Sequence, residues 1–303
     1  MNAMRWEHLH APDLSGRTVV MTGASDGLGR EAALRLALWG ADLVLPVRDR
    51  RKGGIVAARI VRETGRSEAV RLTSLDLADL AAVRSGAQEI ARTVGPGGID
   101  ALVHVAGAVT ARRRESADGI ELMTAVNALA PLLLTDLLLP QVRRRVVVVA
   151  SGAHTSGRID LEDPYFARGG WSMPAAYARS KLVAMLWGRE LADRLQEADG
   201  PDLQLVHPGW VLTNLQNASG SDRVDRAVTA LTRPLAMTAE QGAASVLLAA
   251  TQPLPPGSYV GPDGPGALRG RPTLLRRSLT ALDRGLATEV TAWARQQIAA
   301  RSR

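Results

Sequence analysis

The chain has 303 residues, of which 46% are hydrophobic, 22% charged and 3% aromatic, and its formal net charge is +7 at pH 7. This composition is typical of a globular protein, and the length suits one α/β domain with a full core. The lack of cysteine excludes disulfides, zinc–thiolate sites and cysteine nucleophiles, and no metal site is predicted.

Targeting and surface signals are weak. Residues 1–12 have no apolar core of a secretory signal, and the longest apolar run, 128–139, is interrupted by Pro131 and Asp136. We therefore expect a cytoplasmic protein without a membrane span. Arginine triplets at 112–114 and 143–145 could attract nucleic acid, but no aromatic residues are interleaved with them, so we favour solvated loops and no nucleic-acid partner.

Strand and helix patterns alternate along the chain. Apolar and β-branched runs predict strands at 18–22, 41–47, 68–72, 100–105, 145–150, 203–207 and 258–260. Helical spacing predicts helices at 29–40, 51–63, 78–94, 118–139, 174–196 and 274–300. This alternation implies right-handed crossovers between parallel strands. We predict an α/β fold, a doubly wound, parallel, seven-stranded Rossmann-type sheet with helices on both faces, in one domain over 1–303.

A glycine-rich turn joins the first predicted strand to the first predicted helix. Glycines there permit a tight turn and a close backbone approach to a pyrophosphate, which would lie on the helix N-terminus. The placement between strand and helix is what this mechanism requires. The candidate cofactor-binding residues of the turn are Thr22, Gly23, Ser25, Asp26, Gly27, Leu28 and Gly29.

The second and third strands bear on the choice of nucleotide. An acidic residue after the second strand usually holds a ribose 2′-hydroxyl, but here Val47 is followed by Arg48. A guanidinium binds a 2′-phosphate, so NADP(H) is favoured. NAD(H) stays possible, because Asp49 lies one residue further on and could still meet a ribose. Asp76, followed by Leu77, could accept a hydrogen bond from adenine or simply cap the next helix.

Tyr177 and Lys181 are four residues apart in a predicted helix, and Lys181 is one of only two lysines in the chain. Positions i and i+4 lie on the same helix face. A nearby ammonium favours phenolate, so we expect the pKa of Tyr177 to be lowered toward neutrality, which would suit a general acid and base.

Taken together, these motifs resemble the single-domain Thr-Gly-x-x-x-Gly-x-Gly branch of the short-chain dehydrogenase/reductase superfamily, and within it the retinol-dehydrogenase-like and WW-domain-oxidoreductase-like members. The resemblance extends from about residue 16 to residue 264. It adds Asn127 and Ser151 to Tyr177 and Lys181 as catalytic residues. The further cofactor-binding residues that it implies, besides Asn127, Tyr177 and Lys181, are Ala106, Gly107, Pro208, Gly209, Val211 and Thr213.

The resemblance implies reversible hydride transfer between NADP(H) and a carbonyl or alcohol. Ser151 would hold the substrate oxygen, Tyr177 would exchange the proton, and Lys181 would bind the nicotinamide ribose. Asn127 would position Lys181 through a water. A serine nucleophile is disfavoured because no Gly-x-Ser-x-Gly elbow surrounds Ser151. An alternative is an NAD(P)-binding regulatory or interaction protein with an idle active site.

Other expectations concern the substrate and the assembly. Substrate loops are expected at about 152–173 and 210–235, and their Trp and Met residues favour an apolar small-molecule substrate. The helices predicted at 118–139 and 174–196 make a homo-oligomer, such as a homodimer, plausible by analogy. His154 is interpreted as a loop residue that lines the pocket or is satisfied locally.

Overall fold

The computed structural model describes residues 11–211 and 236–301. Eight strands form one sheet in the order β3-β2-β1-β4-β5-β6-β7-β8. The strands are β1 (Thr18–Thr22), β2 (Asp42–Val47), β3 (Val70–Ser74), β4 (Ile99–His104), β5 (Val142–Val149), β6 (Asp202–Val206), β7 (Tyr259–Pro262) and β8 (Pro272–Leu274). Strands β1 to β7 pair in parallel, which confirms the predicted doubly wound α/β sheet.

The predicted number of seven strands was wrong by one. The extra strand, β8, pairs antiparallel with β7 at the edge of the sheet. It has only three residues, too few for a periodic pattern, and it begins with Pro272. Proline is tolerated there because an edge strand leaves one side of its backbone unpaired.

The helices agree with most of the predicted ones and add one at 239–251. They are α1 (Gly27–Leu38), α2 (Arg50–Thr64), α3 (Leu80–Val94), α4, α5 (Met173–Glu197), α6 (Ala239–Thr251), α7 (Leu279–Leu282) and α8 (Arg284–Ala299). Helix α4 consists of Leu122–Thr124, a π-helical stretch Ala125–Leu129, and Ala130–Leu138. The C-terminal helix predicted at 274–300 is thus two helices, α7 and α8, because Asp283 has extended backbone between them.

Helix α4 begins at Leu122 and not at residue 118 as predicted. Gly119 has a φ of 71°, which breaks the helical path. The Glu121 side chain then caps the helix by accepting a hydrogen bond from the Thr124 backbone N–H at 2.8 Å. Asp118 instead accepts from the backbone N–H of Leu80 at 3.0 Å, so it secures the start of α3.

Two apolar layers cover the sheet. Helices α1, α2 and α6 pack on one face, and α3, α4, α5 and α8 pack on the other. Within the described residues one stretch, Leu122–Gln141, is long and apolar enough for a membrane span, with 72% of its window buried inside the molecule. Its apolar character is what a helix packed against a buried sheet requires, and the absence of a span stays a prediction.

The C-terminal helix α8 lies against α5 and reaches α4. Arg295 forms a bidentate ion pair with Asp136 of α4, with N–O distances of 3.0 and 3.1 Å. Nε of Arg284 lies 3.2 Å from Oδ2 of Asp193 on α5. Helix α8 therefore covers part of the surface of α4 and α5 through which the expected homo-oligomer would form. That expectation stays a prediction, and the part of α5 under α8 is not free for a second copy.

The order of the strands reverses between β1 and β4, which are neighbours in the sheet. In an open parallel sheet, ligands bind outside the carboxyl ends of the strands at such a point. The glycine-rich turn follows β1, and Ala106 and Gly107 follow β4, so both predicted segments border this crevice.

Candidate active site

The glycine-rich turn is pressed against the segment that follows β4. Gly23 has a φ of 73°, and a Cβ there would lie 2.5 Å from the backbone nitrogen of Ala106. A Cβ at Gly29 would lie 2.2 Å from the carbonyl oxygen of Gly23. Thr22 ties the two segments by accepting a hydrogen bond from the Ala106 N–H at 3.4 Å. Only glycine fits at both positions, so backbone alone forms this part of the crevice.

Helix α1 begins at this turn. The Asp26 carboxylate accepts a hydrogen bond from the Gly27 N–H at 2.7 Å, and Gly27 has a φ of 52°. Ser25 and Leu28 are partly buried beside them. The N-terminus of α1, which carries the positive end of the helix dipole, therefore lies at the strand crevice.

The end of β2 carries the residues that bear on the nucleotide. Val47 is buried, and Arg48 is exposed with no hydrogen-bond or ion-pair partner within 11–211 and 236–301. Asp49 caps α2 by accepting from the backbone N–H groups of Arg51 and Lys52 at 2.9 and 3.0 Å. These hydrogen bonds lower the pKa of Asp49, and the bond from the Lys52 N–H has the larger effect. Asp49 is thus held by the helix that it caps.

Asp76 lies after β3 and accepts a hydrogen bond from the Ala78 N–H at 2.9 Å. It does not cap α3, because that helix begins at Leu80 and Asp79 is its cap. The next residue, Leu77, is buried in the core. Asp76 is partly exposed. Its bond to Ala78 uses one carboxylate oxygen, so the other oxygen can accept a hydrogen bond from a ligand.

Ser151, Tyr177 and Lys181 come together at the carboxyl end of β5. The Ser151 hydroxyl accepts a hydrogen bond from the Ala153 N–H at 3.2 Å and lies beside the Tyr177 phenol. Lys181, which is 4% exposed, lies one turn after Tyr177 on α5, with its Nζ 5.8 Å from the centre of the Tyr177 ring. The same ammonium donates to the carbonyl oxygen of Val149 at 2.8 Å.

The electrostatics of this group differ from the sequence expectation. Burial raises the pKa of Tyr177, and the neighbouring Ser151 side chain offsets this rise only in part. Burial also lowers the pKa of Lys181 to about 8. The physical reason is that both groups lose water, which disfavours the charged form of each. The Lys181 ammonium donates to Val149, and no hydrogen bond joins it to the Tyr177 hydroxyl within the described residues.

Asn127 lies in the π-helical stretch of α4 and is buried. Its side chain accepts from the Ala108 N–H at 2.7 Å and donates to the Ala108 carbonyl and to the Ser180 hydroxyl, both at 3.0 Å. A Cβ at Gly107 would lie 3.2 Å from Asn127 Oδ1 and 3.7 Å from Lys181 Nζ. The glycine therefore leaves open the space that these two polar groups share.

The segment after β6 closes the other side of the crevice. Gly209 has a φ of 85°, and a Cβ there would lie 2.8 Å from the carbonyl oxygen of Leu268. Pro208 precedes it, and Val211 forms an isolated parallel bridge with Met237. The predicted cofactor residue Thr213, and all but two residues of the loop expected at 210–235, lie outside the described residues.

Two histidines lie beside Ser151: no role was predicted for His207, and His154 is satisfied locally, as one of its interpretations expected. His207, directly before Pro208, accepts a hydrogen bond from the Gly152 N–H at 3.3 Å. His154 is buried, with its Nδ1 2.7 Å from the Ser151 carbonyl oxygen. The sequence signal that points to both histidines is their position, because each stands within three residues of a motif residue.

A small apolar cluster packs beside Tyr177. It contains Val109, Met123, Phe166, Trp171 and Ala176. The Trp171 indole N–H reaches the buried Glu121 carboxylate at 3.4 Å. Apolar side chains therefore cover part of the Tyr177 ring.

Known proteins resemble this chain in sequence. The sequence model of the family described as short chain dehydrogenase matches residues 17–224. The chain is 40% identical over 210 residues to dehydrogenase/reductase SDR family member 13 of Bos taurus, covering 67% of this chain and 53% of that protein. It is 35% identical over 211 residues to retinol dehydrogenase 13 of Mus musculus, covering 68% and 62%. The matches thus span little more than half the length of these relatives.

Solved structures show the same fold. A protein of Mycobacterium paratuberculosis superposes with a TM-score of 0.80 at 35% identity, covering 98% of both chains. A short-chain dehydrogenase of Shigella flexneri complexed with NADP superposes with a TM-score of 0.61 at 25% identity, covering 79% of this chain and 93% of that one. With the family match over 208 of 303 residues (17–224), the chain belongs to the short-chain dehydrogenase family.

Proposed function

We propose that the protein is an NADP(H)-dependent oxidoreductase that transfers a hydride between the nicotinamide and a carbonyl or alcohol substrate. The observation that carries the proposal is that Ser151 lies beside the Tyr177 phenol, with the ammonium of Lys181 5.8 Å from the centre of the phenol ring. A hydroxyl that holds an oxygen, beside a second that can give a proton to it, is the arrangement that carbonyl reduction requires.

The crevice between β1 and β4 suits a dinucleotide. The missing side chains at Gly23 and Gly29 let backbone line the crevice, and the N-terminus of α1 favours a pyrophosphate. The space at Gly107 lies beside Lys181, whose ammonium would bind ribose hydroxyls. When bound, the nicotinamide would supply or accept the hydride.

The chain's own residues would handle the proton. In reduction, Ser151 would donate a hydrogen bond to the substrate oxygen, and Tyr177 would give it a proton. The burial of Tyr177 keeps the phenol protonated, as a general acid must be. Lys181 would stabilise the phenolate that remains, and Asn127 would connect to Lys181 through a water across the space at Gly107.

Three features support NADP(H) over NAD(H). Arg48 is exposed at the end of β2, so its guanidinium is available for a 2′-phosphate. Asp49, the residue that would favour a free ribose, is engaged as the cap of α2. The Shigella flexneri relative was solved with NADP.

An apolar substrate is proposed from the cluster beside Tyr177, whose residues include Met123, Phe166 and Trp171. The similarity to a retinol dehydrogenase supports the same class. An apolar wall can bind a long hydrocarbon while leaving the carbonyl to Ser151 and Tyr177.

The test is a screen of purified protein for NADPH oxidation at 340 nm with short, branched, aromatic and long-chain aldehydes and ketones. Turnover is expected to rise with apolar chain length, and NADPH is expected to bind without substrate. Tight NADPH binding with no turnover of any carbonyl or alcohol would favour the alternative, a nucleotide-binding regulatory protein. Absence of nucleotide binding would refute both.

A further inference from the structure

The peptide bond between Ser151 and Gly152 is held at both of its polar atoms by histidines. The Ser151 carbonyl oxygen lies 2.7 Å from Nδ1 of His154. The Gly152 N–H of the same peptide donates to Nδ1 of His207 at 3.3 Å. Because C=O and N–H point in opposite directions in a trans peptide, the two imidazoles hold it from opposite sides.

The partners of each ring determine where its proton lies. The backbone N–H of Ser278 donates to Nε2 of His154 at 3.4 Å, so Nε2 is an acceptor and the proton is on Nδ1, which donates to Ser151. His207 accepts at Nδ1, so the proton of its neutral ring is on Nε2. The two neutral histidines are therefore opposite tautomers.

Both rings are buried, at 2% exposure for His154 and 6% for His207. Their surroundings favour the neutral form. Burial lowers the pKa of both, and the nearby charges of Arg277 at His154 and of Lys181 at His207 lower it further. A protonated His207 could not accept from Gly152, so the neutral form is the one that the arrangement needs.

The far end of His154 is fixed to the C-terminal part of the chain by the Ser278 N–H, and His207 follows β6. Tyr177, in contrast, is carried by α5. The two histidines thus hold the Ser151–Gly152 peptide from outside α5. Gly152 permits the close approach, since a Cβ there would lie 3.2 Å from Nε2 of His207.

We propose that His154 and His207 are positioning residues that hold the Ser151–Gly152 peptide so that the Ser151 hydroxyl faces Tyr177. The inference rests on the proposed function, because it assigns the two histidines to the serine of that reaction. Neither histidine needs to touch the substrate. A displacement of the serine by about 1 Å can cost on the order of 10²-fold in turnover.

The first test does not depend on activity. Long-range ¹H–¹⁵N spectra of the ¹⁵N-labelled full chain at pH 7.5 distinguish the two neutral tautomers and the cation, with His154→Gln and His207→Gln assigning the signals. We expect His154 protonated at Nδ1 and His207 at Nε2. The same tautomer for both, or a cation at either, would overturn the inference.

The second test compares three variants with NADPH and the best carbonyl from the screen. His154→Leu removes both hydrogen bonds and should lower kcat roughly 10- to 100-fold, with the Kd of NADPH within about 2-fold of wild type. His154→Gln keeps one donor and one acceptor and should recover most of kcat. His104→Leu is the matched control: His104 is a buried histidine that bonds to Thr135 at 2.8 Å.

The control separates positioning from folding. His104→Leu should lower the melting temperature while the folded fraction keeps its kcat. If His154→Leu changes kcat and melting temperature only as His104→Leu does, the positioning role is refuted. A wild-type protein that turns over no substrate refutes the proposed function and this role with it, whereas active wild type with an unaffected His154→Leu refutes the role alone.

Discussion

Two regions at the carboxyl edge of the sheet are built in opposite ways. The turn after β1 is formed by backbone, with side chains excluded at Gly23 and Gly29 by contacts of 2.5 and 2.2 Å. The segment after β5 is formed by side chains, each held by hydrogen bonds, as Ser151 and Lys181 are. The first region is damaged mainly by adding atoms, whereas the second is damaged by removing them.

The comparison also separates binding from chemistry. A backbone surface offers shape and N–H groups to a nucleotide but no group that can exchange a proton. Hydroxyl and ammonium groups can exchange protons, and their pKa values depend on burial. Substitutions in the turn after β1, the backbone region, should therefore change the Kd of NADPH. Substitutions in the segment after β5 and its partners on α5, the side-chain region, should change kcat.

The largest effect is expected from Tyr177→Phe, which removes one hydroxyl from the side-chain region. Loss of a general acid costs about 10²- to 10⁴-fold, so kcat should fall in that range while the Kd of NADPH changes little. Stopped-flow turnover and fluorescence titration of NADPH measure the two quantities. Turnover at the wild-type rate would remove Tyr177 from the reaction.

Gly23→Ala should abolish measurable NADPH binding by adding one methyl group to the backbone region. The Cβ would lie 2.5 Å from the Ala106 nitrogen at a φ of 73°, so the turn must move. Gly54→Ala is the matched control, because a Cβ at Gly54, inside α2, meets nothing within 4 Å. The control should keep NADPH binding and gain roughly 0.5–1 kcal/mol of stability.

Calorimetric titration with NADPH and thermal melts would check both glycine variants. If Gly23→Ala binds NADPH as tightly as Gly54→Ala does, the turn after β1 is not the nucleotide site.

Arg48→Ala should weaken NADPH binding roughly 10- to 100-fold, the equivalent of about 1.5–3 kcal/mol for a hydrogen bond to a charged group. NADH binding should change less than about 2-fold, because NADH lacks the 2′-phosphate. Arg51→Ala, an exposed arginine on α2, serves as the control. Equal losses for the two nucleotides would contradict the assignment of Arg48 to the phosphate.

The smallest effect concerns acid stability in the side-chain region. Burial is the main cause that lowers the pKa of His207 to about 4, against about 6.5 in an unfolded chain. Between these values the unfolded state binds a proton that the folded state does not. The free energy of unfolding should therefore fall as the pH drops from about 6.5 toward 4, by up to about 1.4 kcal/mol per pH unit from this group.

Urea unfolding of wild type and His207→Gln at pH 7.5, 6.5, 5.5 and 4.5 measures this contribution as the difference between two slopes. The variant should lose stability less steeply with acid, since glutamine does not titrate. Parallel curves would mean that His207 is not buried in its neutral form.

Part of the fold was readable in the sequence because its signals are local. The four valines of β5 and the glycines after β1 predicted a buried strand and a tight turn, and the structure has both. Two of the missed features lack such signals. Strand β8 is too short for a period, and the start of α4 depends on Gly119 and on the hydrogen bond that the Thr124 N–H donates to Glu121.

The same division holds in the active site. The spacing of Tyr177 and Lys181 determined that they lie one turn apart on one helix, because helical geometry depends only on separation along the chain. It did not determine the direction of the ammonium, which donates to Val149, or the rise in the pKa of Tyr177, which comes from burial.

What the amino-acid sequence determined alone is the sheet architecture, the turn after β1 and the set of chemical groups, since each follows from neighbours within a few residues. Tertiary structure decided which groups meet: His154 and His207 come to one peptide from positions 53 residues apart. It also decided how much water each group keeps, and hence its pKa. Both depend on packing between distant segments, which no local pattern encodes.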